Sequence, residues 1–118
     1  MHYSILIYQS RADFDARTDP AKREVFLDAF VPYVRALREA GIVVASAGLE
    51  SPESATTLRV GEGGRTVQDG PYADTKEQLG GFFVIDVPDL DAALQWAARC
   101  PIGEGMVVEV RGNLPHMS

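Results

Sequence analysis

A chain of 118 residues, 46% hydrophobic and 24% charged, has the size and composition of one globular domain that buries its own core, which excludes a disordered or fibrous chain. Seventeen acidic against eleven basic residues leave a net charge of −6, a field that repels a phosphate backbone, so no nucleic-acid partner is expected. No apolar run approaches the ~18 residues of a membrane span, and no membrane partner is expected either.

The opening Met1-His2-Tyr3-Ser4-Ile5-Leu6-Ile7-Tyr8 is too short and uncharged for a signal peptide, so the expected location is cytoplasmic. Tyr3 to Tyr8, β-branched and aromatic, reads as a strand ended by the polar cluster Gln9 to Asp19. Asp19-Pro20 then supplies an N-cap followed by a proline at the first helical position. Phe26, Phe30, Val34 and Leu37 recur at helical spacing, and Gly41 is a natural C′ residue; Pro32 should kink or restart this helix.

Ile42 to Ala45 reads as the return strand. Thr56 to Val60 and Arg65 to Val67 form a hairpin about the glycine-rich tip Gly61-Glu62-Gly63-Gly64. Phe82 to Val87 is the strongest strand, entered through Gly80-Gly81, where paired glycines suit a bulge or a close backbone approach. Asp89 caps a second helix whose apolar positions are Leu90, Ala93, Leu94 and Ala97. The lone Cys100, before Pro101, is expected as a buried structural thiol, and Met106 to Arg111 is the last strand. One domain over 1–111 with a frayed tail at 112–118 accounts for the whole pattern.

This order is the α+β, ferredoxin-like split βαβ arrangement with an antiparallel sheet. Two helices cover one sheet face, yet both alternating sets of the central strands are apolar: Phe82 and Val84 against Phe83, Ile85 and Val87, Ile5 and Ile7 against Leu6 and Tyr8. The uncovered set predicts a homodimer in which two sheets face each other.

The run Asp69-Gly70-Pro71-Tyr72-Ala73-Asp74-Thr75-Lys76-Glu77-Gln78-Leu79-Gly80-Gly81-Phe82-Phe83, with Asp89 to Arg99 and Val108-Glu109-Val110-Arg111, resembles the YCII-related family in its DGPF-type branch. The similarity spans about residues 3 to 111, with Tyr72 where that branch usually has phenylalanine. The resemblance implies a dimeric α+β barrel and carries no settled activity. It also implies a histidine–aspartate acid–base pair for relatives in the YCII branch proper. Here the histidines are His2 and His116, near the two ends and outside any shared motif, so that pair is not expected to carry over.

The Asp69 loop has the composition of a site-bearing connection, with charged side chains and a turn between two apolar runs. Asp69 is the candidate acid or base, its alternative being an Asx turn. Lys76 and Glu77 are candidates for binding an anionic or carbonyl-bearing molecule, and Tyr72 and Tyr8 for an aromatic wall with a hydroxyl. No His, Cys and carboxylate cluster has metal-ligand spacing, and neither glycine run is a phosphate loop, so neither a metal nor an organic cofactor is expected. Two functions fit: binding or transforming a small metabolite beside Asp69-Gly70-Pro71, or a non-catalytic regulatory dimer module like the domains found with sigma-factor regions.

Overall fold

The structure, a computed structural model, describes residues 1–103 and 105–115; His116 and the end of the predicted tail lie outside the described residues. Strand β1 (His2–Gln9) buries Tyr3, Ile5, Ile7 and Gln9 and leaves the alternate residues half-buried, the period-two signature of a strand with one face in a core. The polar segment that follows, expected only to end the strand, has structure of its own. It holds a helix, α1 (Arg11–Thr18), started by a reciprocal cap. The Asp13 N–H donates to Ser10 Oγ at 3.3 Å and the Ser10 N–H to Asp13 Oδ2 at 2.9 Å. Phe14 alone is buried from α1, which is why no hydrophobic period announces it.

Helix α2 (Pro20–Glu39) starts as its sequence dictates, the Ala21 N–H donating to Asp19 Oδ1 at 3.0 Å. It runs on through Pro32 without a break, and Gly41 leaves it at a φ of +71° that a side chain would disfavour. Strand β2 (Val43–Gly48), a short 3-10 turn at Pro52–Ser54 and the hairpin β3 (Thr56–Gly61) and β4 (Gly64–Asp69) follow. Strand β5 (Gln78–Asp86), helix α3 (Leu90–Ala98) and strand β6 (Val107–Gly112) complete the chain.

The main sheet has the order β2-β5-β1-β6, antiparallel throughout, while β3 and β4 pair only with each other. This is the ferredoxin-like α+β arrangement with an inserted hairpin. Tyr33 and Leu37 of α2 and Ala93 and Ala97 of α3 meet Tyr3, Ile5, Ile7, Phe83 and Ile85 in one core. The Tyr33 ring stands edge-on to Phe83 at 5.8 Å, and its hydroxyl donates to the Trp96 carbonyl at 2.9 Å, so the phenol is satisfied where it is buried. Leu90 and Leu94, expected to pack inward, are about half exposed; α3 turns its alanines to the sheet, where small side chains allow close approach.

Away from this core, the sheet carries Leu6, Tyr8, Phe82 and Val84, all half-buried, with Ala47 beside Phe82 and Val107 beside Tyr8. The second face read from the alternation is therefore apolar along β5 and at Leu6 and Tyr8, and turns polar toward Ser4, Glu109 and Arg111.

Cys100 joins the core, and burial pushes its thiol from the ordinary 9.0 up to about 11. The folded state thus favours the neutral thiol: its contribution is intact below pH 9, where the unfolded thiol ionises, and is lost as pH rises toward 11. Burial raises the Tyr33 hydroxyl in the same sense, so the thiol must be isolated by difference. Urea unfolding at about pH 8 and about pH 10.5 should show a larger loss for the wild type than for Cys100→Ala. Equal losses would remove the thiol from the account.

Candidate functional site

The loop leaving the hairpin is shaped by its glycine. Asp69 ends β4 opposite Thr56, and Gly70 turns the chain at a φ of +99°. The Gly70 N–H donates to the Ala55 carbonyl, and its own carbonyl accepts from Thr57 Oγ1, both at 2.7 Å. Backbone groups of Gly70 hold this turn. The Asp69 carboxylate is exposed and has no hydrogen-bond partner among the described residues, so the turn is not an Asx turn. Tyr72 is also exposed, with the Arg59 guanidinium 5.0 Å from its ring centre. Beyond it the loop braces itself: Thr75 Oγ1 donates to the Glu77 carbonyl and Gln78 Nε2 to the Ala73 carbonyl, each at 2.6 Å.

That bracing sets one wall of a cleft of about 560 Å³. Pro71, Thr75, Lys76 and Gln78 of the loop face Ser10, Arg11, Phe14 and Asp15 from the start of α1, with Glu53 of the 3-10 turn at the rim. Arg11 pairs with Glu53 at 3.2 Å, both side chains well exposed, so this pair contributes little to stability. Lys76 is the one sequence candidate on these walls; Asp69, Tyr72, Glu77 and Tyr8 line neither this cleft nor the larger one below. Tyr8 lies on the sheet face turned from the core. Its hydroxyl donates to Glu109 Oε1 at 3.4 Å, and Arg111 reaches the same oxygen at 3.1 Å.

A family model, the YCII-related domain, matches residues 1–112. The chain belongs to the YCII-related family. It is also similar to an uncharacterized protein of Rhizobium meliloti (strain 1021), 38% identical over 97 residues that cover 82% of this chain and 77% of that relative.

Two residues of this YCII-related chain that sequence reasoning passed over are Gln9 and Arg17. Arg17 Nη1 donates to Gln9 Oε1 at 3.0 Å and to the Gly80 carbonyl at 3.4 Å, and Nη2 donates to the Leu49 carbonyl at 2.5 Å. One guanidinium thereby ties α1 to β1, β5 and the exit of β2. Burial lowers its pKa from the ordinary arginine value, and among the described residues no carboxylate lies within 4.0 Å of it. The signals that could have found this pair are the Ser10 and Asp13 cap, which marks α1, and the position of Gln9 in the inward-facing set of β1.

The paired glycines explain why this network fits. In the β1–β5 register Ile7 faces Gly81 and Tyr8 faces Leu79, so Gly80 is the extra residue of a bulge. A Cβ on Gly80 would collide with the Gln9 side chain, and one on Gly81 would lie 2.9 Å from the Ala47 carbonyl oxygen. Both readings of the double glycine, bulge and close approach, are therefore observed.

On the α2 side of Gln9 and Arg17 lies a larger cleft of about 760 Å³, between α2 and the β2 edge of the sheet. Among the described residues no group of three or more His, Cys, Asp and Glu could hold a metal, and no helix is long and apolar enough to cross a membrane. His2 stands opposite Asp86 at the start of β1, far in sequence from the Asp69 loop.

Proposed function

We propose that this chain, as a DGPF-type member of its family, binds and transforms a small polar metabolite in the cleft beside Asp69-Gly70-Pro71. The observation that carries this reading is that the motif loop, braced by its own hydrogen bonds, supplies Pro71, Thr75, Lys76 and Gln78 to the wall of a 560 Å³ cleft. Lys76 supplies positive charge for an anionic or carbonyl group, Arg11 being already paired with Glu53. Asp69 is the candidate acid or base and Tyr72 and Glu77 the candidate contacts; all three stand on the same loop outside the cleft walls, so in this reading they act on the part of the molecule that projects from the cleft. Pairing of two apolar sheet faces makes the working unit a homodimer, and places Tyr8 in the groove between the copies.

A second reading, a non-catalytic binding or regulatory dimer, is favoured by one feature: the Asp69 carboxylate stands in solvent without a hydrogen-bond partner among the described residues. A thermal-shift screen of anionic and carbonyl metabolites separates the two. A true ligand at 100 times its Kd adds about 2.7 kcal/mol of stability, and Lys76→Ala should weaken it about tenfold or more. For the enzyme, Asp69→Asn keeps binding but loses turnover; for the binding module, no turnover of the ligand is found with either protein. No stabilising metabolite, or one indifferent to Lys76→Ala, would remove the site.

A further inference from the structure

The larger cleft is a different kind of site from the one beside the motif loop. Its walls are aromatic and aliphatic: Phe26 and Phe30 stack at 4.7 Å along α2, Val34 continues the row, and Phe83 comes from the sheet. Leu27 and Val31 are exposed at its mouth. At one end stands Arg17, whose guanidinium has five N–H donors. Its three hydrogen bonds to Gln9, Gly80 and Leu49 use three of them, so Nε–H and one Nη2–H have no protein acceptor among the described residues.

The charge is unbalanced as well. All three acceptors are neutral, no carboxylate pairs with the guanidinium among the described residues, and a partly desolvated cation without a counter-charge is costly. Arg35 and Arg38 add positive charge along the cleft against the single acid Glu39, in a chain whose net charge is −6. A local excess of cations over an apolar trough selects an anion with a greasy body. Sugars and nucleotides would strand their hydroxyls and ring nitrogens against these walls.

We propose that the cleft between α2 and the β2 edge binds a small carboxylate with an apolar tail, the carboxylate on Arg17 and the tail along Phe26, Phe30 and Val34. A volume of 760 Å³ suits an aryl- or medium-chain alkyl-carboxylic acid. The site does not rest on the reading of the Asp69 loop, from which it is separated by Gln9, a residue that lines both clefts.

The test is calorimetric titration of the whole chain with octanoate and with 1-octanol, which share a tail and differ in charge. Octanoate should bind with a Kd at least about tenfold below that of the alcohol. Val31→Trp, placed at an exposed position of the mouth, should fill the cleft and weaken octanoate about tenfold while leaving the unliganded melting temperature unchanged. Arg17→Met should erase the preference for the acid, and should that variant unfold, the acid–alcohol comparison and Val31→Trp decide alone. Lys76→Ala should leave octanoate binding as it was. Equal binding of acid and alcohol by the wild type, undiminished binding by Val31→Trp, or loss of binding in Lys76→Ala would each overturn the proposal.

Discussion

Ile5→Ala is expected to lower the unfolding free energy by about 2–5 kcal/mol, out of a total of about 5–15 kcal/mol for a domain of this kind. Ile5 is fully buried on β1, flanked by Phe83 across one ladder and Val110 across the other, beneath the helices. Strand neighbours fixed by hydrogen bonds on both sides cannot collapse into the space three deleted carbons leave, so the cavity term adds to the lost transfer energy. Val25→Ala, on the solvent side of α2 at 74% exposure, should change stability by less than about 0.5 kcal/mol. Urea unfolding with a common slope measures both, and comparable losses at the two sites would contradict the assigned core.

Arg17→Met should cost about 2–3 kcal/mol by the same measurement, because hydrogen bonds to charged groups contribute more than neutral ones and their removal strands buried acceptors. Methionine keeps much of the aliphatic stem but leaves Gln9 Oε1, in a residue only 3% exposed, without its donor. The sharper expectation is non-additivity. In Arg17→Met/Gln9→Met the stranded acceptor is gone, so the double variant should lose less than the sum of the singles by about 1 kcal/mol or more. Strict additivity would mean that the Arg17–Gln9 bond contributes nothing net.

The elements that could be read directly are those whose signals are local. Asp19-Pro20 starts α2 and Gly41 ends it because a cap and a left-handed residue act within one turn. The hairpin tip and the double glycine before Phe82 are legible for the same reason: the bulge at Gly80 leaves its Cα against the Gln9 side chain, and the Ala47 carbonyl approaches Gly81 too closely for a Cβ. Helix α1 was not legible, since one buried phenylalanine makes no period and its cap uses aspartate where glutamate or glutamine is the stronger signature. Leu90 and Leu94 misled because a leucine at helical spacing is indistinguishable in sequence from one that faces solvent.

For the candidate site the division runs along the same line. The motif loop announced itself through turn chemistry and charge, and its Lys76 does reach a cleft. Which cleft, and with what opposite it, depends on α1, whose packing brings Ser10 and Arg11 against residues sixty or more positions away. In the sequence nothing sets Arg17 apart from the other basic residues; its partners Gln9, Leu49 and Gly80 meet only when β1, β5 and the end of β2 assemble.

Composition, periodicity and turn residues thus determined the ferredoxin-like order, the two-sided apolar sheet and the place of the loop, because each follows from forces acting over a few neighbouring residues. The tertiary structure alone decided which charges lose their water and what stands across from them. Desolvation and charge pairing act through space, and distance along the chain does not encode them.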